Sequence, residues 1–253
     1  MRIFAISDLH VDYAENERWV TQLSTWDYQQ DVLICAGDVA HTTSDVAKAL
    51  LALRNRFNSV VYLPGNHELW VKHEPGKTSL EKFQEIMRLA AESGVQTQPL
   101  HLKEVSLVPV LAWYDYSFGS PSSELLERWA DFHVCIWPEH FDQARLTAHF
   151  LAQNSPFASE DDRKIISFSH FVPRNDLLPA SGRTMDLLRP VMGSDAIDVY
   201  IRKLGSSMHI YGHYHVNRRS ERDNILYINN ALGYPSEHHI SAKQLLCIYE
   251  PSA

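Results

Sequence analysis

Arg2-Ile3-Phe4-Ala5-Ile6-Ser7-Asp8-Leu9-His10 is a short apolar run that stops at two side chains able to bind a metal ion. Its length and its β-branched and aromatic members mark Arg2 to Ile6 as a strand. Asp8 and His10 follow at the carboxyl end. Residues i and i+2 of an extended segment face the same side, so both are expected to reach one ion. The rest of the chain repeats this plan. The repetition points to an α/β fold with its chemistry on loops at the carboxyl ends of strands.

Asp31 to Ala36 is a second strand, ending in Gly37-Asp38. A carboxylate has two oxygens and can bridge two cations, so Asp38 is the expected bridge. Ser59 to Leu63 exits through Pro64-Gly65 into Asn66-His67. Adjacent side chains point apart, so Asn66 is assigned to metal and His67 to substrate. Lys164 to Phe168 ends in Ser169-His170, and Met208 to Tyr211 ends in Gly212-His213-Tyr214-His215. Taken singly, these are ordinary fragments. Asp-x-His caps helices and turns, Gly-Asp is a turn dipeptide, and a lone histidine is usually a satisfied polar residue. Together they supply two carboxylates, one carboxamide and five imidazoles at strand exits. That donor set suits two hard or borderline divalent ions and hydrolysis at phosphorus.

With these blocks in this order, the chain resembles the calcineurin-like metallophosphoesterase superfamily from Asp8 to His215. The resemblance implies a four-layer α/β/β/α sandwich, two mixed β-sheets face to face with helices outside. It implies that Asp8, His10 and His215 hold one metal and that Asn66, His170 and His213 hold the other. Asp38 would bridge them together with a water or hydroxide, and His67 would contact the phosphoryl oxygen or protonate the leaving group. The ions would be manganese, iron or zinc. The phosphoprotein phosphatase branch has an arginine before its Gly-Asn-His-Glu block and an Asp-Arg-Gly after its Gly-Asp. Here Leu63-Pro64 precedes Gly65, and Val39-Ala40-His41-Thr42-Thr43 follows Asp38. The expectation is therefore attack by a metal-bridging hydroxide on a small phosphomonoester or phosphodiester, not protein dephosphorylation.

The 253 residues are expected to form one domain, with 114–160 as a lid or cover. No apolar run is long enough for a transmembrane helix. The start of the chain reaches Asp8 too soon for a signal peptide, and the three widely spaced cysteines suit a reduced cytoplasm. The net charge of −8 argues against a nonspecific nucleic-acid grip, so no nucleic-acid partner is expected. Three alternatives stay open: a nuclease of the same superfamily, a non-catalytic metal-binding scaffold, and, disfavoured by the resemblance, a metal-dependent hydrolase of non-phosphate substrates.

Helical spacing marks Asn16 to Trp26, Ser44 to Phe57 and Thr78 to Ala91, the last with Thr78 as cap and Glu81 three residues on. Strands are expected at Val95 to Leu102 and Val105 to Trp113. After Gly182 a helical stretch leads through Asp195 to Leu204. The strands at 208–211, 225–229 and 245–249 look hairpin-like. Trp113 to Phe141 carries eight of the 27 aromatics. They read either as core or as a pocket wall, with Trp113, Tyr114 and Tyr116 nearest the site. Arg174, four residues after His170, is a candidate for a phosphate contact. His41, His73, His101, His133, His140, His149, His209, His238 and His239 are assigned to surface or packing, and Asn230 to a turn.

Overall fold

The computed structural model describes residues 1–72, 74–155 and 163–251. In chain order the strands are β1 (Ile3–Ile6), β2 (Val32–Ala36), β3 (Ser59–Leu63), β4 (Leu100–His101), β5 (Val105–Pro109), β6 (Lys164–Phe168), β7 (Met208–Tyr211), β8 (Arg218–Arg222), β9 (Ile225–Asn229) and β10 (Leu246–Tyr249). The helices are α1 (Ala14–Gln22), α2 (Thr43–Arg54), α3 (Ser79–Glu92), α4 (Ser123–Arg128), α5 (Asp131–Val134), α6 (Gln143–Gln153), α7 (Arg183–Leu188) and α8 (Asp195–Leu204).

The strands form two mixed sheets. One has the order β10-β1-β2-β3 and the other β4-β5-β6-β7-β9-β8. β1, β2 and β3 run parallel, as do β5, β6, β7 and β9, while β10, β4 and β8 pair antiparallel at the edges. Strand alternation sets the layers. Ile3, Ala5, Val32, Ile34, Ala36, Val61 and Leu63 join Leu107, Ile166, Phe168 and Ile210 in one core. The intervening Phe4, Ile6, Leu33, Cys35, Val60 and Tyr62 pack instead with Val20, Val46, Leu50, Leu53, Ile86 and Ala90, which belong to α1, α2 and α3. Each fully buried valine, leucine, isoleucine or phenylalanine among them contributes about 1.5–3 kcal/mol.

Two helices show why their sequences are helical. α3 starts at a full capping box, in which Thr78 accepts from the Glu81 backbone and the Glu81 side chain accepts from Thr78. α8 buries Ile197, Ile201 and Leu204, carries Asp195 and Asp198 in its first turn and Arg202 and Lys203 in its last, and ends at Gly205 with φ 73°. That charge order complements the helix dipole, and the left-handed terminal residue favours glycine.

Several boundaries move. α1 ends at Gln22, and the expected strand at 95–102 contracts to β4 plus a bridge between Val61 and Gln96. After Gly182 the chain makes α7, then a 3-10 turn holding Pro190, and only then α8, because proline cannot donate within a helix. The hairpin expectation for the last strands is corrected. β7 and β9 are parallel, and β10 joins the other sheet against β1. The true hairpin partner of β9 is β8, whose Arg-Arg-Ser-Glu-Arg sequence has no apolar alternation and sits at the edge. No described helix is long and apolar enough to cross a membrane. The three cysteines are unpaired. His73 and residues 156–160 of the expected lid or cover lie outside the described residues.

Candidate metal centre

The seven proposed ligands converge beyond the carboxyl ends of the parallel strands, but not through extended backbone. Asp8, His10, Asp38, His213 and His215 all have φ between 43° and 65°. The i, i+2 argument from an extended segment therefore fails as stated, since the chain curls left-handed as it leaves the strands. Asp and His tolerate this region better than most residues, at a cost of order 1–3 kcal/mol each. Backbone hydrogen bonds hold the curl in place. Asp8 N donates to Gly37 O at 2.9 Å, His10 N to Asp38 O at 3.0 Å, and Val11 N to Val39 O at 2.9 Å. The β1 and β2 exits are thus joined past the sheet. Gly65 is required by space, because a Cβ there would lie 2.2 Å from Asp38 Oδ1.

Two groups form. In the first, Asp8 Oδ1 and His10 Nε2 each lie 3.2 Å from His215 Nε2. In the second, His170 Nε2 lies 3.3 Å from Asp38 Oδ2, 3.2 Å from His213 Nδ1 and 3.1 Å from Asn66 Oδ1. Asp38 Oδ2 is also 4.0 Å from His10 Nε2, which places this carboxylate between the groups. All seven side chains are buried.

The outer partners determine what faces inward. His170 Nδ1 donates to Ala36 O, and His213 Nε2 donates to Val191 O. Asn66 Nδ2 donates to Asp131 Oδ1, and His215 Nδ1 to Glu237 Oε2 at 2.7 Å. With neutral rings, Asp38 Oδ2, Asn66 Oδ1, His170 Nε2 and His213 Nδ1 all meet as acceptors. Lone pairs this close repel unless a cation or a shared proton lies among them. The donor set and its outer hydrogen bonds therefore fit a divalent metal.

The electrostatics agree. Burial opposes ionisation of Asp8, but the attraction of His215 outweighs it and holds the carboxyl at about 2. Burial likewise opposes ionisation of Asp38, and His170 more than offsets it, holding Asp38 well below its ordinary value. Burial disfavours charge on His170, yet Asp38 raises it to about 9, so a proton there stands in for the cation. Burial lowers His213 to about 3 and His10 to about 4, leaving both rings neutral.

His67 is placed beside this cluster. Its Nε2 is 3.7 Å from Asp38 Oδ2, its Nδ1 is 2.7 Å from His41 Nε2, and Trp70 stacks on its ring at 3.8 Å. His41, expected at the surface or in packing, is half-buried and packs its ring against both His67 and Trp70. His10, His41 and His67 also form a third trio of convergent nitrogens.

Other assignments change too. Trp113 and Tyr114 are 1% exposed and belong to the core, so they do not line the site as free walls. Tyr116 is half-buried at φ 64° and neighbours the Tyr114 ring. The rings that meet the cluster include Trp70 on His67, Tyr234 beside His10 and His215, Trp129 beside His213, and Phe171 beside His170 and His213. The Arg174 guanidinium is engaged by Asp176, Asp198 and Asp223, not left open for a phosphate.

Three supporting carboxylates carry work that was not assigned from sequence. Glu68 accepts from the backbone of Asp38, Val39 and Gly65 and from the Tyr62 hydroxyl, tying the β2 and β3 exits together. Its place directly after His67 was the available signal. Asp131, which orients Asn66, and Glu237, which orients His215, are far away in sequence and carried none.

Residues 1–217 match the family described as calcineurin-like phosphoesterase. The chain belongs to that family. One relative is the [acyl-carrier-protein] phosphodiesterase PptH of Mycobacterium tuberculosis, 35% identical over 126 residues. That stretch covers 46% of this chain and 38% of the relative, so the match spans under half of either protein. The crystal structure of phosphopantetheinyl hydrolase PptH from the same organism superposes with a TM-score of 0.79 at 24% identity, covering 99% of this chain and 98% of that one. This likeness carries the fold, two mixed sheets with helices outside.

Proposed function

We propose that this chain is a two-metal phosphodiesterase. The observation that carries the reading is the meeting of Asp38, Asn66, His170 and His213 as inward acceptors, beside a second trio of Asp8, His10 and His215. The family is one of phosphoesterases, and the name of the PptH relative favours a diester on a carrier protein over a free small ester. A phosphopantetheinyl group attached to a carrier protein is therefore the first substrate to test, ahead of the small esters expected from sequence.

Asp8, His10 and His215 would hold one ion, Asn66, His170 and His213 the other, with Asp38 between them. When bound, such ions activate water and neutralise developing charge on phosphorus. The protein's own work is to bury these donors, keep His10 and His213 neutral, and fix their inner nitrogens through the outer hydrogen bonds. His67, held on its Nδ1 side by His41, presents Nε2 toward Asp38. Burial holds its pKa well below the ordinary imidazole value, so it would act on the leaving oxygen as the acid only once the substrate's negative charge raises its proton affinity.

The test combines elemental analysis with hydrolysis of a phosphopantetheinylated carrier protein, a bis-aryl diester and an aryl monoester, using manganese, iron and zinc in turn. Two ions per chain and diester cleavage are expected, both impaired in Asp38→Asn. One ion or none, or an Asp38→Asn enzyme with full metal and turnover, would overturn the reading.

A further inference from the structure

On the His67 side of the metal centre lies a cavity of about 600 Å³. Its lining includes His41, Ser44, Trp70, Lys72, Ala130 and Val134. His67 does not itself line the cavity, but His41 and Trp70 touch His67 and line it, so one layer of side chains separates this space from the proposed acid. We propose that this cavity receives the organic group carried on the leaving oxygen, and that it favours an apolar group with an anionic or carbonyl-bearing far end. The inference rests on the phosphoesterase reading and on His67 acting at the leaving oxygen.

The size is that of a small-molecule site. The Trp70 indole, Ala130 and Val134 supply apolar wall, so an apolar substituent gains by leaving water there. The wall is held in place by Lys82, which is 1% exposed. Its ammonium donates to the carbonyls of His41 and Trp70 and pairs with Glu74 at 2.7 Å. That charge is already satisfied. Lys72 is exposed and has no ion pair among the described residues, so it is a cation available to the far end of a ligand. Val134 and Ala130 flank Asp131, which orients Asn66, so one short helix carries both a cavity wall and a metal-site support.

The experiment varies the leaving alcohol at nearly constant acidity. Ethyl and 2-phenylethyl phosphate, and their methyl diesters, are followed by release of the alcohol from the metal-loaded protein. Ser44→Trp and Val134→Trp fill the cavity from two different elements, and Ser44 is exposed, so its replacement does not threaten folding. The wild type should prefer the phenylethyl esters. Each variant should lower the ratio of kcat/KM for phenylethyl over ethyl about tenfold, the scale on which a pocket discriminates by size. Binding of 3-phenylpropylphosphonate by calorimetry, which needs no turnover, should weaken in parallel. Lys72→Met should remove any added preference for a 2-(4-carboxyphenyl)ethyl ester, and an unchanged preference would overturn the anionic-end assignment. Unchanged ratios and unchanged phosphonate binding in both filled variants of an active enzyme would overturn the cavity assignment alone. A wild type that releases none of these alcohols and binds the phenylpropylphosphonate no better than ethylphosphonate, yet cleaves the phosphopantetheinylated carrier protein, would overturn the cavity assignment and leave the phosphoesterase reading standing; failure on the carrier protein as well would remove both.

Discussion

His67 and Asn66 are neighbours in sequence with different surroundings. Asn66 turns its oxygen to His170 because Asp131 holds its amide nitrogen, while His67 turns to His41 and Trp70. His67→Ala should therefore keep both metals and lose roughly 10²–10⁴-fold in turnover of alkyl esters, with a smaller loss for nitrophenyl esters whose leaving oxygen needs less protonation. Metal content and turnover of both ester types in one preparation decide it, and an equal loss for both would defeat the acid role. Glu237 makes a different prediction. It fixes the His215 ring from outside, so Glu237→Gln should weaken metal binding about 10–100-fold, read from a metal titration. An unchanged titration would mean that His215 needs no outer support.

At the scale of elements, the α3 capping box secures a helix that contributes Phe83, Ile86 and Ala90 to the two cores. Thr78→Ala removes the side-chain acceptor and should cost about 1 kcal/mol, seen as a lower urea midpoint with an unchanged slope. Metal stoichiometry should not change, since Thr78 touches nothing in the cluster. The edge strand β8 shows the limit of pattern reading. Arg218-Arg219-Ser220-Glu221-Arg222 lacks an apolar face, and its strand state comes from pairing with β9. Propensity also could not show that β7 and β9 run parallel, because alternation reports a face and not a direction.

Across the whole molecule, the aromatic-rich segment proves to be largely structural. Trp113 packs against Trp137, Phe150 and Phe171 and is buried beneath them. Trp113→Ala should destabilise the fold by about 3–5 kcal/mol by opening a cavity. The folded fraction should keep its ranking of phenylethyl over ethyl esters, so calorimetric melting and substrate ranking together separate core from pocket. The strand exits were legible because each ligand follows a short apolar run of strand length, most with β-branched members, and parallel strands deliver their ends to one rim. The α/β class, the five exit blocks and the donor types within them are legible in the amino acids alone, since periodicity and side-chain chemistry are local properties. Folding was needed to show that Asp8, His10, Asp38, His213 and His215 approach through left-handed backbone, and that Glu68, Asp131 and Glu237 orient the donors. It alone revealed that Trp70 and His41 flank His67 while Trp113 and Tyr114 do not reach it. The reason is physical: these facts depend on which distant segments pack together, and burial assigns each aromatic or carboxylate its partner only after the sheets have met.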